Sequence, residues 1–106
     1  MSRPRKALVT GAARGIGLAC ALRLEADGLE VVGTDVLVDD LSASGLAHTA
    51  VLDVTDSAAV YAIVSDLGGI DVLVNSAGVV GPNCPTWEID DEGWSRTIRV
   101  NLDGTF

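Results

Sequence analysis

Short apolar runs and longer periodic stretches take turns along the chain, and glycine or acidic residues mark most of the changes. Ala7, Leu8 and Val9 follow Lys6 and stop at a glycine turn, so Lys6 to Val9 predicts a short buried strand. From Gly15 the apolar positions Ile16, Cys20 and Leu24 recur at i, i+4 and i+8, the period of a helix with an inward stripe. That helix is expected to end at Asp27-Gly28, where glycine suits a left-handed cap. Glu30 to Asp35, with β-branched Val31 and Val32, predicts a second strand closed by an aspartate. Val36 to Gly45 has room for at most one helical turn, and Leu46 to Asp53 predicts a third strand. Thr55 or Asp56 can cap a helix that carries Ala59, Val60, Ile63, Val64 and Leu67 on one face before Gly68-Gly69 stops it. Ile70 to Asn75 predicts a fourth strand, Ser76-Ala77-Gly78 turns out of it, and Val79 to Glu88 reads as a loop holding Pro82 and Pro85. Asp90 then caps a helix from Asp91 to Phe106, with Trp94, Ile98 and Leu102 turned inward.

Strands separated by helical stretches imply parallel strands joined by right-handed crossovers. The fold class is therefore α/β: a doubly wound parallel sheet of about four strands with flanking helices, in one domain over residues 1–106. A complete sheet of this kind needs further strands, and no cap signal precedes Phe106. The chain is thus expected to be the N-terminal portion of a longer protein, cut in the helix after the fourth strand. With 48% hydrophobic residues it can bury a core.

Net charge is −8, and three of the seven basic residues lie in Arg3 to Lys6, which leaves the rest more acidic still. That balance argues against nucleic-acid partners and against an anionic membrane surface. No apolar run reaches membrane-spanning length. Gly11 and Arg14 cut the apolar stretch after the basic start too short for a signal peptide, so a cytoplasmic location is expected. Met1 to Arg5 reads as a loose tail. Cys20 and Cys84 lack metal-ligand spacing, and no metal site is expected. Cys20 falls on the helical stripe and reads as a core thiol, whereas Cys84 sits in a proline-flanked loop. His48 has no acidic or thiol cluster beside it and reads as a surface residue.

The chemistry concentrates where the first strand gives way to the first helix, in Thr10-Gly-Ala-Ala-Arg-Gly-Ile-Gly17. Strand, glycine-rich turn and helix form a phosphate cradle, because the first N–H groups of the helix are unpaired and its dipole is positive there. Gly11 allows the sharp turn, while Gly15 and Gly17 remove side chains where a pyrophosphate and the strand must come close. Thr10, Gly11, Gly15, Ile16 and Gly17 match every fixed position of T-G-x-x-x-G-[IL]-G, and in this the chain resembles the short-chain dehydrogenase/reductase family. The resemblance implies a Rossmann-type fold and a nicotinamide dinucleotide cofactor.

Asp35 follows Gly17 by 18 residues and ends the second strand, where an acidic residue binds the ribose hydroxyls of NAD. A 2′-phosphate beside it would be repelled by about 4 kcal/mol per charge pair at roughly 4 Å with an effective dielectric near 20. NAD is therefore favoured over NADP. Arg14 pulls the other way, since a basic residue at that position approaches a 2′-phosphate in NADP-using members; a plain solvent-exposed role suits it equally. The resemblance also implies that Asp53 and Val54 contact the adenine ring, the carboxylate accepting from the exocyclic amine. Asn75-Ser76-Ala77-Gly78 resembles the family's N-N-A-G motif, with serine for the second asparagine. There Asn75 is expected to join strand ends and shape the cleft floor, and Ala77 and Gly78 to let the cofactor lie near backbone. Val100-Asn101-Leu102 resembles the segment with the family's catalytic asparagine, whose backbone carbonyl holds a water linked to the active-site lysine; Asn101 takes that place.

The family's catalytic serine and tyrosine-x-x-x-lysine pair have no counterpart: Tyr61 is the single tyrosine, and Ser65 stands four positions on. The implied parent protein moves hydride between a small-molecule alcohol or ketone and the nicotinamide ring, and assembles as a homo-oligomer. The 106-residue chain alone is expected to be inactive. The alternative reading is a non-catalytic dinucleotide-binding module. The loop Val79 to Glu88 offers Asn83, Cys84 and Trp87 as contacts but no charge that selects a substrate acid or phosphate.

Overall fold

The computed structural model describes residues 3–106; of the tail expected over Met1 to Arg5, the first two residues lie outside the described residues and Arg3 to Arg5 have no regular secondary structure. Four parallel strands form one sheet in the order β3-β2-β1-β4, with β1 at Lys6–Thr10, β2 at Glu30–Asp35, β3 at His48–Val51 and β4 at Val72–Asn75. The chain steps outward from β1 through β2 to β3, then returns to the other side of β1. The carboxyl ends of β1 and β4 therefore flank a topological switch point, where open α/β sheets hold ligands.

The core joins β1, the turn after it, the first helix and β2 through Ala7, Val9, Ala12, Ala21 and Val31. Thr34 is fully buried and its hydroxyl donates to the Val9 carbonyl at 3.1 Å, so no polar atom is stranded there. Helix α1 (Gly15–Ala26) keeps Leu24 of its predicted apolar stripe against the core, but the centre of its inward face is formed by small residues. Gly17 and Ala21 are its buried residues, Ile16 is 79% exposed, and Cys20 is half-buried rather than a core thiol. The cause is distance: a Cβ on Gly17 would stand 2.0 Å from the Gly11 carbonyl oxygen. The helix lies too near the turn for a large side chain, so small residues face the sheet.

A single helical turn, α2 (Val38–Ser42), links β2 to β3 as expected. Strand β3 is shorter than the pattern predicts because flanking N–H groups bond elsewhere: Leu46 to the Ser44 hydroxyl at 3.2 Å and Ala47 to the Glu25 carboxylate at 3.0 Å. Strand β4 likewise starts at Val72, not Ile70. Helix α3 (Ser57–Leu67) is capped by Asp56, which accepts from the Ala59 N–H at 3.1 Å, and Gly68 closes it at φ 68°. Lys6 ties it to β1 by donating from Nζ to the Leu67 carbonyl at 2.6 Å. No residue of α3 is fully buried, and Val64 on its expected inner face is exposed.

Helix α4 (Asp91–Ile98) is capped by Asp90, which accepts from the Gly93 N–H at 2.7 Å. The continuous helix expected to Phe106 instead becomes a π turn over Arg99–Asp103. Trp94 and Leu102, expected inward, are exposed, and Ile98 is half-buried. The face toward the body is set by small and polar residues: Gly93 lies against Pro82, Thr97 against Gly81 and Asn101 against Gly78.

Candidate functional site

A cleft of about 830 Å³ opens at the carboxyl ends of the strands. Gly11 and Arg14 after β1, Asp35 at the end of β2, Asp53 and Val54 after β3, and Ala77 and Gly78 after β4 all line it. Ile16 at the start of α1 also lines it, which accounts for its exposure. Thr10, Gly15, Gly17, Asn75 and Asn101 do not line it.

Most of the second group acts by shaping the walls. Gly11 takes φ +67°, and a Cβ there would sit 2.6 Å from the Ser76 carbonyl carbon and oxygen. Thr10 ties the two strand ends together, its hydroxyl accepting from the Ser76 and Ala77 N–H groups at 3.2 and 3.3 Å. Asn75 was the residue expected to make such bonds and to floor the cleft; its side chain is exposed and lies outside the lining, and Thr10 makes the bonds in its place. Gly17 brings α1 down onto the turn.

Helix α1 begins without a side-chain cap and without an acidic residue in its first turn. Its leading N–H groups and positive dipole end are left for an anion. Arg14, at the N-cap, reaches within 3.9 Å of Asp40, both side chains exposed, an arrangement that contributes little to stability.

Asp35 is half-buried and tightly held. One carboxylate oxygen accepts from the Val36 and Leu37 N–H groups at 2.7 and 3.1 Å, the other from the Ala13 N–H at 3.1 Å. A carboxylate offers about four acceptor positions. The glycine turn is thus fastened to the end of β2, and with three of its acceptor positions filled the Asp35 carboxylate, which lines the cleft, keeps capacity for a further donor.

Asp53 accepts from the Thr55 N–H at 2.9 Å and from its hydroxyl at 2.7 Å. These two bonds hold its carboxyl below the ordinary 3.8; slight burial pushes it up, and the charges of Arg99 and Arg96 pull it down further. The sign of the stability effect follows. The contribution of this turn is present above the ordinary carboxylate value and disappears as pH falls through the lower folded value. As pH falls from the ordinary carboxylate value through the lower folded one, the native chain should therefore lose more urea resistance than Asp53→Asn, which carries no such proton linkage.

Asn101 sits in the middle of the π turn, a feature that recurs at functional sites. Its side chain clamps the loop after β4: the Val79 N–H donates to Oδ1 at 2.8 Å and Nδ2 donates to the Val79 carbonyl at 2.9 Å. Its own backbone carbonyl accepts from the Thr105 hydroxyl at 3.3 Å. Arg96 and Arg99, to which sequence reasoning gave no role, also line the cleft, as does Val100 of the Val100-Asn101-Leu102 segment. Their spacing of i, i+3 and i+4 was a readable signal of one helix face. His48 and Cys84 are exposed outside the cleft, and among the described residues no cluster of His, Cys, Asp or Glu could hold a metal. Among the same residues no helix is long and apolar enough to cross a membrane.

A family model described as short chain dehydrogenase matches residues 5–106. The chain belongs to that family. Among the short chain dehydrogenases it is 40% identical over 110 residues to a 2-dehydro-3-deoxy-L-rhamnonate dehydrogenase (NAD(+)) of Sphingomonas sp., covering 96% of this chain and 44% of that protein. It is 45% identical over 112 residues to a 1-deoxy-11-beta-hydroxypentalenate dehydrogenase of Streptomyces avermitilis, covering 93% of this chain and 42% of that protein. A crystal structure of a substituted actinorhodin polyketide ketoreductase with NADPH superposes with a TM-score of 0.83 at 36% identity, over 97% of this chain and 44% of that one. The Rossmann-type parallel sheet is the fold that the chain shares with this ketoreductase. The chain spans less than half the length of the relatives it matches.

Proposed function

We propose that the chain is the dinucleotide-binding part of an NAD-dependent oxidoreductase that interconverts a secondary alcohol and a ketone. The observation that carries this is Asp35, fixed by three backbone N–H groups and placed in the cleft wall beside the glycine turn. The residues present fit an adenine dinucleotide. Gly11 and Gly17 leave backbone bare where any Cβ would collide, and the start of α1 offers unpaired N–H groups to a pyrophosphate. Asp35 would take the adenosine ribose, and Asp53 and Val54 the adenine edge. Ala77 and Gly78 would give close passage along β4. The cofactor, when bound, supplies hydride exchange with the substrate carbon.

The names of the relatives include both NAD(+) and NADPH, so the choice rests on this chain's own residues. Asp35 opposes a 2′-phosphate, and Arg14 stands near the acidic Asp40 rather than unopposed. Both favour NAD. Asn101 acts here as a positioning residue that fixes Val79 beside the cleft, in addition to the carbonyl role its motif implies. Tyr61 and Ser65 lie on α3, outside the cleft, and supply no proton transfer. The parent would be a cytoplasmic homo-oligomer acting on a small molecule, in line with the small-molecule dehydrogenases it is similar to.

Saturation-transfer NMR with NAD tests the reading. Transfer is expected at the adenine and ribose protons and to be weaker at the nicotinamide, with NADP competing poorly and no NADH formed from added alcohols. No transfer at millimolar NAD would overturn it. A non-catalytic module would show the same transfer, and would be told apart by a parent protein that binds NAD without turning over any alcohol.

A further inference from the structure

We propose that Arg96 and Arg99 form a cationic wall of the cleft that draws in the diphosphate of an adenine nucleotide. The proposal rests on the dinucleotide reading of the cleft and adds two binding residues to it. The chain carries a net charge of −8, so an anion approaching most of its surface is repelled. The cleft reverses that sign. Its charged lining is Arg14, Arg96 and Arg99 against Asp35 and Asp53, so three of the seven basic residues gather at one opening.

The placement is systematic. Arg96 and Arg99 share one helix face, while Thr97 and Asn101 turn toward the loop after β4 and anchor the helix there. Among the described residues neither arginine has a carboxylate within ion-pair distance, although the chain holds 15 acidic residues. Arg23 is the contrast: it lies on the outside of α1 and pairs with Asp27 at 3.2 Å. The two charges nevertheless reach the cleft, since they help the Thr55 hydrogen bonds keep the Asp53 carboxyl low. Unpaired guanidinium groups aimed at an opening have an anion as their complement, and they match phosphate geometry well. The amino end of α1 lines the same cleft and favours the same charge, so a diphosphate would be held from two sides.

The test compares ADP with adenosine, which differ in the diphosphate alone, as probes of the intact chain by ligand-observed NMR. At low salt R96Q/R99Q should weaken ADP about tenfold and adenosine less than about twofold, and the gap should shrink in roughly 0.5 M salt as screening shortens the field. R96K/R99K keeps the charge but loses the planar fork, and its ADP affinity should fall between those of the native chain and R96Q/R99Q. R23Q lowers the net charge without touching the cleft and should leave ADP binding unchanged. Native-like circular dichroism of each variant shows that the comparison is between folded proteins. An unchanged ADP affinity in folded R96Q/R99Q, an equal loss for adenosine, or an equal loss in R23Q would overturn the wall and leave the dinucleotide reading standing. A native chain that binds neither probe would overturn both.

Discussion

Gly17→Ala is expected to cost about 3 kcal/mol of stability, at the upper end of what overpacking a core does. The methyl would arrive 2.0 Å from the Gly11 carbonyl oxygen, 2.7 Å from its carbon and 3.2 Å from the Ser76 Cβ. Two of those atoms are backbone, and that backbone is held by the Thr10 bonds and by the Ala12 N–H donating to the Thr34 carbonyl at 3.0 Å. Alanine gains about 1 kcal/mol in helix propensity, too little to offset such a collision. Gly15→Ala is the control. Gly15 has φ +64° but open space within 4 Å, so its cost is the left-handed backbone alone, about 1–2 kcal/mol. Urea midpoints of the two variants separate close approach from backbone conformation. Equal losses would mean that α1 can move off the turn without penalty.

The same crowding explains what could be read from the sequence and what could not. Element order, the caps at Asp56 and Asp90 and the stop at Gly68 follow from local chemistry, which needs only neighbouring residues. The inward stripe of α1 followed only in part: Leu24 packs on the core, but period-3.6 counting also rewards Ile16, whereas contact with the turn demands Gly17 and Ala21. Hydropathy cannot register how near two backbones come. Trp94 and Leu102 misled for a related reason: α4 docks on a glycine- and proline-rich loop through Gly93, Thr97 and Asn101, a face with little apolar content. The site was legible where a motif names backbone geometry, as at Gly11, and at Asp35, where spacing puts an acid at a strand end. It was less legible for Asn75, expected to join strand ends, because the ends of β1 and β4 are joined instead through the Thr10 hydroxyl, which accepts from the Ser76 and Ala77 N–H groups. Arg96 and Arg99 belong to the cleft only through a helix arriving from a distant part of the chain.

Asp35→Asn is expected to shift the preference between NAD and NADP by about two orders of magnitude toward NADP, or ~2.7 kcal/mol. The full repulsion between a carboxylate and a 2′-phosphate charge is about 4 kcal/mol at close range, and solvent in an open cleft screens part of it. NAD affinity should also fall, because the amide nitrogen that replaces one oxygen cannot accept. That replacement is not silent in the free protein. One oxygen serves Val36 and Leu37 and the other serves Ala13, so whichever side the nitrogen takes leaves an N–H without its acceptor, at about 1–3 kcal/mol. Stability and cofactor preference should therefore move together, and competition binding of the two dinucleotides alongside urea unfolding reads both. A destabilised variant whose NAD to NADP ratio is unchanged would make Asp35 a fastener of the glycine turn alone. Discrimination would then have to come from Arg14 and Asp40, which meet 3.9 Å apart at the rim.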